Sequence, residues 1–344
     1  MTIQIAPGAS TTTAAYPRLL MQIVRERGCD VDGLLEGVGL KMAQLEYEDA
    51  RVSVTQYAAI AHAAMQCCED EGLGYELAMR TPPTAHGPLG LAMMSSETCG
   101  DALALALKYM ALMQGRATFD YSQDESFAYL RPNITALPIP LPLRRFFSEA
   151  LMGGLVRSAA WLLGREKIDE GELWLNYAEP PYFAKYATQL PVVKHNAPFL
   201  QFCTPVATLL RKLPLADSAT RARAIAQCEY EITLLGMDGG NFTARVRTLL
   251  RAESGHYPTA DEVAAQLHLS RRTFKRRLSE LGTSFRLLLE DARRFDAITL
   301  LYKDHLSLER IAAELGYGDP ANFTRAFKRW TGKTPSAFRE AIPR

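Results

Sequence analysis

The feature that most constrains the fold is a design that occurs twice near the C-terminus. Residues 259–282 read TADEVAAQLHLSRRTFKRRLSELG, and residues 307–332 read SLERIAAELGYGDPANFTRAFKRWTG. In the first copy Val263, Ala264 and Leu267 recur at helical spacing, a short break follows, and Leu269, Phe274, Leu278 and Leu281 make a second apolar stripe. Two stripes this short share one small core, so the segment must be a helix, a tight turn and a second helix, the latter starting at Ser270, a good N-cap. The second copy repeats the plan. Ile311, Ala312 and Leu315 precede a turn at Gly316, Pro320 suits a first helical turn, and Phe323 and Phe327 continue the inward face.

The outward faces are basic. The second helix of the first copy displays Arg271, Arg272, Lys275, Arg276 and Arg277, and that of the second copy presents Thr324, Arg325 and Lys328 on one face, with Arg329 beside them. A charge run by itself is usually only a solvated helix face. Here it sits in a chain whose net charge of +1 hides an asymmetry: residues 241–344 hold 19 Lys and Arg against 12 Asp and Glu, whereas residues 1–240 hold 20 against 26. A basic module joined to an acidic remainder points to nucleic acid as the partner of the C-terminal part alone. Between the copies, SFRLLLEDARRFDAITLLYKDH fits one connecting helix of about 19 residues, hence about 28 Å at 1.5 Å per residue. Successive major-groove faces lie about 34 Å apart, so a rigid spacer of this order lets both basic helices enter adjacent turns on one side of a duplex.

The remainder of the 344 residues is long enough for a further domain of its own. Pro17 can open a helix striped by Leu19, Leu20, Ile23 and Val24; Ser53 with Gln56, and Thr98 with Asp101, have capping-box spacing before apolar runs. Over residues 117–131 the period switches to two, giving two strands around a polar turn at 122–125. A helix over 143–164 follows, then three short strand-like segments, GELWLNYA, LPVVKH and PFLQFC, the last two around a turn at His195 to Pro198, and a helix over 217–235. GMDGGN, residues 236–241, has the glycines and lack of apolar period of a linker. The expected architecture is therefore an α+β domain over 1–235, helices with a small, mainly antiparallel sheet, followed by an all-α domain over 242–344 with helix-turn-helix units at about 260–281 and 307–331 joined by a helix at about 284–302.

Several chemistries are disfavoured. Cys29, Cys67, Cys68, Cys99, Cys203 and Cys228 lack C-x-x-C spacing, which argues for free thiols and against a disulfide scaffold or zinc site. His62 and His86 fall in no metal or haem motif, the glycines at 72–74 lack the strand-to-helix context of a phosphate loop, and there is no G-x-S-x-G elbow. No metal or cofactor is expected. No signal peptide and no apolar stretch long enough for a bilayer is seen, so a cytoplasmic chain without a membrane partner is expected. Arg131, Trp161, Trp174, Tyr177 and His195 are the polar-tipped groups that suit the wall of a small-molecule pocket. Phe323, Phe327, Trp330 and Phe338 have the spacing of a buried face and read as core.

From Ile311 to Arg339 the pattern I-A-x-E-L-G-Y-x-D-x-x-N-F-x-R-A-F-K-R-W-x-G-x-T-P-S-A-F-R resembles the AraC/XylS family of transcription regulators, and the first unit and connecting helix extend the resemblance over roughly 240–342. It implies a sequence-specific DNA-binding regulator, not an enzyme, often an activator acting with RNA polymerase on promoter DNA, with a variable N-terminal domain for a small-molecule effector or homodimer formation. Carried over by position, Arg272, Lys275 and Arg276 would meet base edges, as would Ala321, Thr324, Arg325 and Lys328 in the second unit; Ser270, Arg271, Thr273 and Arg277 would hold phosphates. Pro320 and Ala321 are poor hydrogen-bonding residues, so weaker readout by the second unit is expected. The segment LPVVKHNAPFLQFCTPVATLLRKLPLAD is similar to the effector domain of ornithine-utilisation-type members, departing from the commoner form at Thr188 to Leu190. Two other readings remain: a DNA-repair alkyltransferase on the same architecture, which would need a metal-activated cysteine cluster, and a protein-interaction subunit with weak DNA affinity.

Overall fold

A computed structural model describes residues 11–47, 50–114, 118–133, 141–234, 242–243, 246–247, 249–250, 256–281, 283–301 and 306–340. They fall into two compact units, Met1–Gly240 and Asn241–Arg344. The expected linker at 236–241 lies outside the described residues. No helix among the described residues is long and apolar enough to cross a membrane.

The N-terminal unit opens with β1 (Thr11–Thr13), α1 (Ala15–Glu26), α2 (Val31–Gly37) and α3 (Met42–Leu45), then β2 (Arg51–Ser53), α4 (Val54–Cys68), α5 (Leu73–Arg80), α6 (Pro88–Met94), α7 (Cys99–Lys108) and α8 (Met110–Gln114). Local chemistry sets several of these starts. Ser53 Oγ accepts the Gln56 N–H while Gln56 Oε1 accepts the Ser53 N–H, and Thr98 and Asp101 exchange the same pair of bonds ahead of α7. Each such cap is worth about 1 kcal/mol because it satisfies helix N–H groups that have no partner further along. Tyr109, whose hydroxyl donates to Glu229, stands between α7 and α8. Strands β1 and β2 form an antiparallel two-stranded ribbon that periodicity did not reveal.

The second half carries β3 (Thr118–Gln123), β4 (Phe127–Asn133), α9 (Leu141–Leu162), β5 (Glu172–Trp174), β6 (Val192–Lys194), β7 (Gln201–Pro205), α10 (Val206–Leu209) and α11 (Ser218–Leu234). Five strands form one sheet in the order β3-β4-β7-β5-β6, antiparallel except for the β5–β6 pair. The turn expected between the last two strands is present, with Asn196 at φ +54°, but it does not make them neighbours: β7 lies between β4 and β5, and β6 stands at the edge. Helix α9 runs through three apolar clusters. Leu143 and Phe146 pack with α1 and α4, Met152 and Val156 against Leu130, Leu173 and Phe202 of the sheet, and Leu162 with α6, α7 and Cys228 of α11. Its approach to α5 is close enough to require glycine. A Cβ on Gly74 would stand 2.5 Å from the Phe146 carbonyl oxygen, and one on Gly153 would stand 2.9 Å from Ala78 Cβ.

The C-terminal unit consists of α12 (Ala260–Gln266), α13 (Arg271–Glu280), α14 (Phe285–Leu301), α15 (Leu308–Glu314), α16 (Pro320–Thr331) and α17 (Pro335–Glu340). Val263, Ala264, Leu267, Phe274 and Leu278 are buried together with Phe242, Val246, Leu250 and Leu288. Ile311, Ala312, Leu315, Phe323 and Phe327 are buried in the second helix pair, whereas Trp330 and Phe338, expected as core, are only half-buried because they sit at its margin. The turns of the two units have the same backbone: His268 (φ +55°) and Gly316 (φ +74°) occupy the left-handed region, and the following N–H groups, of Leu269 and Tyr317, return to Ala264 and Ala312 at 2.9 Å. A side chain in this region is crowded by its own carbonyl, by about 1 kcal/mol or more. His268→Gly is therefore expected to raise the midpoint of the unit's thermal unfolding by a few degrees. Calorimetry of the full chain checks this, and a lowered midpoint would show that the imidazole contributes more than the strain it carries.

Candidate nucleic-acid interface

Each of the four helices in the two helix-turn-helix units starts on a side-chain cap. Thr259 Oγ1 accepts from Glu262 N–H (3.3 Å), Ser270 Oγ from Thr273 N–H (3.2 Å), Ser307 Oγ from Arg310 N–H (3.2 Å) and Asp319 Oδ1 from Ala321 N–H (2.8 Å). Caps and cores together fix which face of α13 and α16 meets solvent. On α13 the exposed residues are Arg271, Arg272, Lys275, Arg276 and Arg277, with Thr273 half-buried and its hydroxyl 2.9 Å from Ser270 Oγ. On α16 they are Ala321, Arg325, Lys328 and Arg329, with Thr324 half-buried.

These cations differ in how they are held. Arg271 reaches Asp261 at 3.1 Å and Arg276 reaches Glu280 at 3.7 Å, both between well-exposed groups, where an ion pair is worth about 0–1 kcal/mol and gives way readily to a phosphate. Arg272 and Lys275 make no ion pair with the described residues. The Arg277 guanidinium lies 5.6 Å from the centre of the Phe242 ring. In α16, Arg325 donates to Asn322 Oδ1 at 2.6 Å, and Arg329 is turned toward α14, meeting Glu290 at 3.1 Å, a carboxylate that Arg286 also approaches. The start of α13 is capped by a neutral hydroxyl, that of α16 by a carboxylate. Asp319 thus places a negative charge where helix N–H groups would otherwise attract a phosphate. Sequence reasoning had located the asymmetry in Pro320 and Ala321 and missed this second cause, although the residue before Pro320 is visible in the sequence.

The two pairs are joined through α14. Phe285 packs on Phe274 with ring centres 6.1 Å apart, and Leu288 completes the first core. From α14, Arg293 lies between two tyrosines, 5.0 Å from the Tyr257 ring and 5.7 Å from the Tyr317 ring in the second turn, while the Tyr257 hydroxyl donates to Asp296 at 2.6 Å. One guanidinium so connects the entry to the first unit with the turn of the second. At 17 residues α14 is slightly shorter than the expected connecting helix.

The five residues expected to line a small-molecule pocket separate into three places. Alternation along the sheet turns Leu130, Leu173 and Phe202 inward and sends Arg131, Trp174 and Gln201 to the other face. There buried Arg131 donates through Nε to Gln201 Oε1, its guanidinium lies 4.1 Å from the Phe199 ring, and Trp174 stacks on the same ring at 6.0 Å and 13°. Tyr177 and His195 belong to a second group inside the unit, where His195 stands edge-on to Phe183 at 4.7 Å and burial lowers its pKa. Trp161, 49% exposed on α9, joins neither.

The second group has a centre that sequence reasoning missed. Glu149 on α9 is fully buried; its Oε1 accepts from the Tyr182 hydroxyl at 2.7 Å and faces that of Tyr177 at 3.5 Å. Burial pushes its pKa up to about 8, against the pull of Tyr182 and Arg145. The signal was present: Glu149 shares the stripe of Phe146, Met152 and Val156, so it had to face inward. Among the described residues no group of three or more His, Cys, Asp or Glu converges as a metal site would require.

Two stretches of the chain match different family models. Residues 28–195 match the arabinose-binding domain of AraC transcription regulator, N-term, and residues 263–341 match a helix-turn-helix domain. The chain is 33% identical to the ornithine utilization regulator of Pseudomonas aeruginosa over 97% of both chains. It is 32% identical to an uncharacterized HTH-type transcriptional regulator of Mycobacterium tuberculosis over 97% of this chain and 98% of that one. The crystal structure of the transcriptional regulator CdpR from Pseudomonas aeruginosa is similar at 26% identity, with a TM-score of 0.43 over 83% of this chain and 91% of that one.

Glu149 gives a direct test of the buried group. An unfolded chain ionises this carboxyl near 4.5, whereas the folded one holds the proton to about 8, so the native state binds more protons between those values and loses stability as the pH rises through them. Glu149→Gln removes the ionisation while keeping an acceptor for Tyr182. It is expected to leave the thermal midpoint at pH 5 nearly unchanged and to raise it at pH 8.5, flattening the pH profile. A profile that keeps its slope in the variant would mean that Glu149 is ionised in the fold throughout.

Proposed function

Because the chain belongs to the AraC family of transcription regulators, we propose that α13 and α16 read two neighbouring blocks of one promoter, and that the N-terminal unit sets when they do so. The observation that carries the reading is a pair of capped, exposed basic helices in one compact unit, with Arg293 between Tyr257 and Tyr317. In this reading Arg272, Lys275 and Arg276 meet base edges, where arginine can span guanine O6 and N7. Ser270, Arg271, Thr273 and Arg277 hold phosphates, helped by free N–H groups at the start of α13, and set the register. Ala321, Thr324, Arg325 and Lys328 make the lesser contribution from α16, for Asp319 opposes phosphate and Ala321 reaches bases only through its methyl group.

The N-terminal unit responds, in the same reading, to a small metabolite, and the likeness to a regulator named for ornithine utilization favours an amino-acid-like one. Arg131 and Trp174 on the second face of the sheet, or Tyr177 and His195 around Glu149, supply contacts; Trp161 stands apart. The metabolite acts by binding one arrangement of the protein more tightly than another, since equal affinity would shift nothing. The output is activation through RNA polymerase, with homodimer formation by the N-terminal unit.

Selection from a randomised DNA pool by the full chain, at two salt concentrations, tests the reading. Two enriched blocks about one helical turn apart are expected. Arg276→Ala should cost about 1–3 kcal/mol and relax the preference at one position, whereas Arg277→Ala should weaken all sequences evenly and lower the salt slope by about one. Equal losses on selected and random DNA for both variants would overturn the division between base and phosphate contacts.

A further inference from the structure

Two of the six cysteines meet at one corner of the N-terminal unit. Cys29, in the turn after α1, has its Sγ 3.7 Å from Sγ of Cys68, the last residue of α4, beside the exposed Cys67. Cys29 and Cys68 are half-buried, so small oxidants reach them, while Cys99, Cys203 and Cys228 are buried. Thirty-nine positions separate Cys29 from Cys68, which is why spacing alone gave no hint of the pair. A disulfide needs the sulfurs about 2.0 Å apart, and the 3.7 Å contact already brings the two thiols side by side.

We propose that Cys29 and Cys68 are a modification site, a dithiol that a hydroperoxide converts to a reversible disulfide. One thiolate attacks the peroxide O–O bond, taking an oxygen to become a sulfenic acid and releasing an alcohol. The second thiol then attacks that sulfur, forming the S–S bond and releasing water. Two thiols and one hydroperoxide give one disulfide, one alcohol and one water, and a dithiol reductant reverses the result. The new bond ties the turn after α1 to the end of α4. It lies beside an existing tie, because Arg27 pairs with Asp70 at 2.7 Å and with Glu76. The same Arg27 lowers the cost of a Cys68 thiolate, against burial, which pushes that thiol up.

The experiment treats the reduced full chain with tert-butyl hydroperoxide at pH 8, then counts thiols in denaturant and maps peptides by mass without reduction. Six thiols should fall to four, the intact mass should drop by about 2 Da from the loss of two hydrogens, and the peptide bearing Cys29 should be joined to that bearing Cys68. Dithiothreitol should restore six. Cys67→Ser should leave the linkage in place, and Cys68→Ser should abolish it. The oxidised wild-type chain should melt a few degrees higher, a readout that does not depend on how well any variant folds. Six thiols surviving the oxidant, a bond from Cys29 to Cys67 that persists in Cys68→Ser, oxidation beyond the sulfenic stage, or a linkage between two chains would each overturn the assignment.

Discussion

Helix α9 passes through all three apolar clusters of the N-terminal unit, and its closeness to α5 is what brings them together. The contact depends on absent atoms. Gly74 faces the Phe146 carbonyl and Gly153 faces Ala78, so the two backbones approach more closely than any pair of side chains would allow. From that approach follow the placing of Phe146 among the N-terminal helices, of Met152 and Val156 against the sheet, and of Glu149 in between. A carboxyl in such a position stays neutral because desolvation outweighs the tyrosine hydroxyl that favours its charge. The same contact that builds the fold therefore also creates a carboxyl that holds its proton far above the usual carboxylate range.

The C-terminal unit solves a different problem, which is to present charge outward without burying any. Its cores are small, and further ties sit at their edges: four side-chain caps, two left-handed turns with matching backbone bonds, and one guanidinium between two tyrosine rings. Most of the basic side chains on α13 remain in weak, exposed pairs or in none, which leaves them available to a polyanion. The two units of the pair are similar in backbone and unlike in charge, since a hydroxyl opens one basic helix and a carboxylate the other.

How much of this was legible in the sequence depended on range. Features decided within a few residues were read well: the Ser53 and Thr98 capping boxes, the Ser270 cap, the inward stripes of both helix-turn-helix units, and five strands in one sheet. Features decided by distant partners were not. Nothing local says that β7 enters between β4 and β5, that Thr11 to Thr13 pair with residues 51–53, or that Cys29 meets Cys68. Among the suggested pocket residues, alternation placed Arg131 and Trp174 on one side of the sheet, while Tyr177 and His195 went with an acid that shares the α9 stripe with its apolar neighbours.

The Arg293 clamp has a consequence for whatever duplex lies across the two basic helices. In the proposed two-block reading, Arg293 between Tyr257 and Tyr317 resists changes in the spacing of the two basic faces, so misfit with the pitch of the double helix falls in part on the nucleic acid, as curvature or changed twist. The work of that distortion depends on the base steps being distorted, pyrimidine–purine steps yielding most easily. In that reading, bases between the two blocks that no side chain touches enter the affinity through their stiffness.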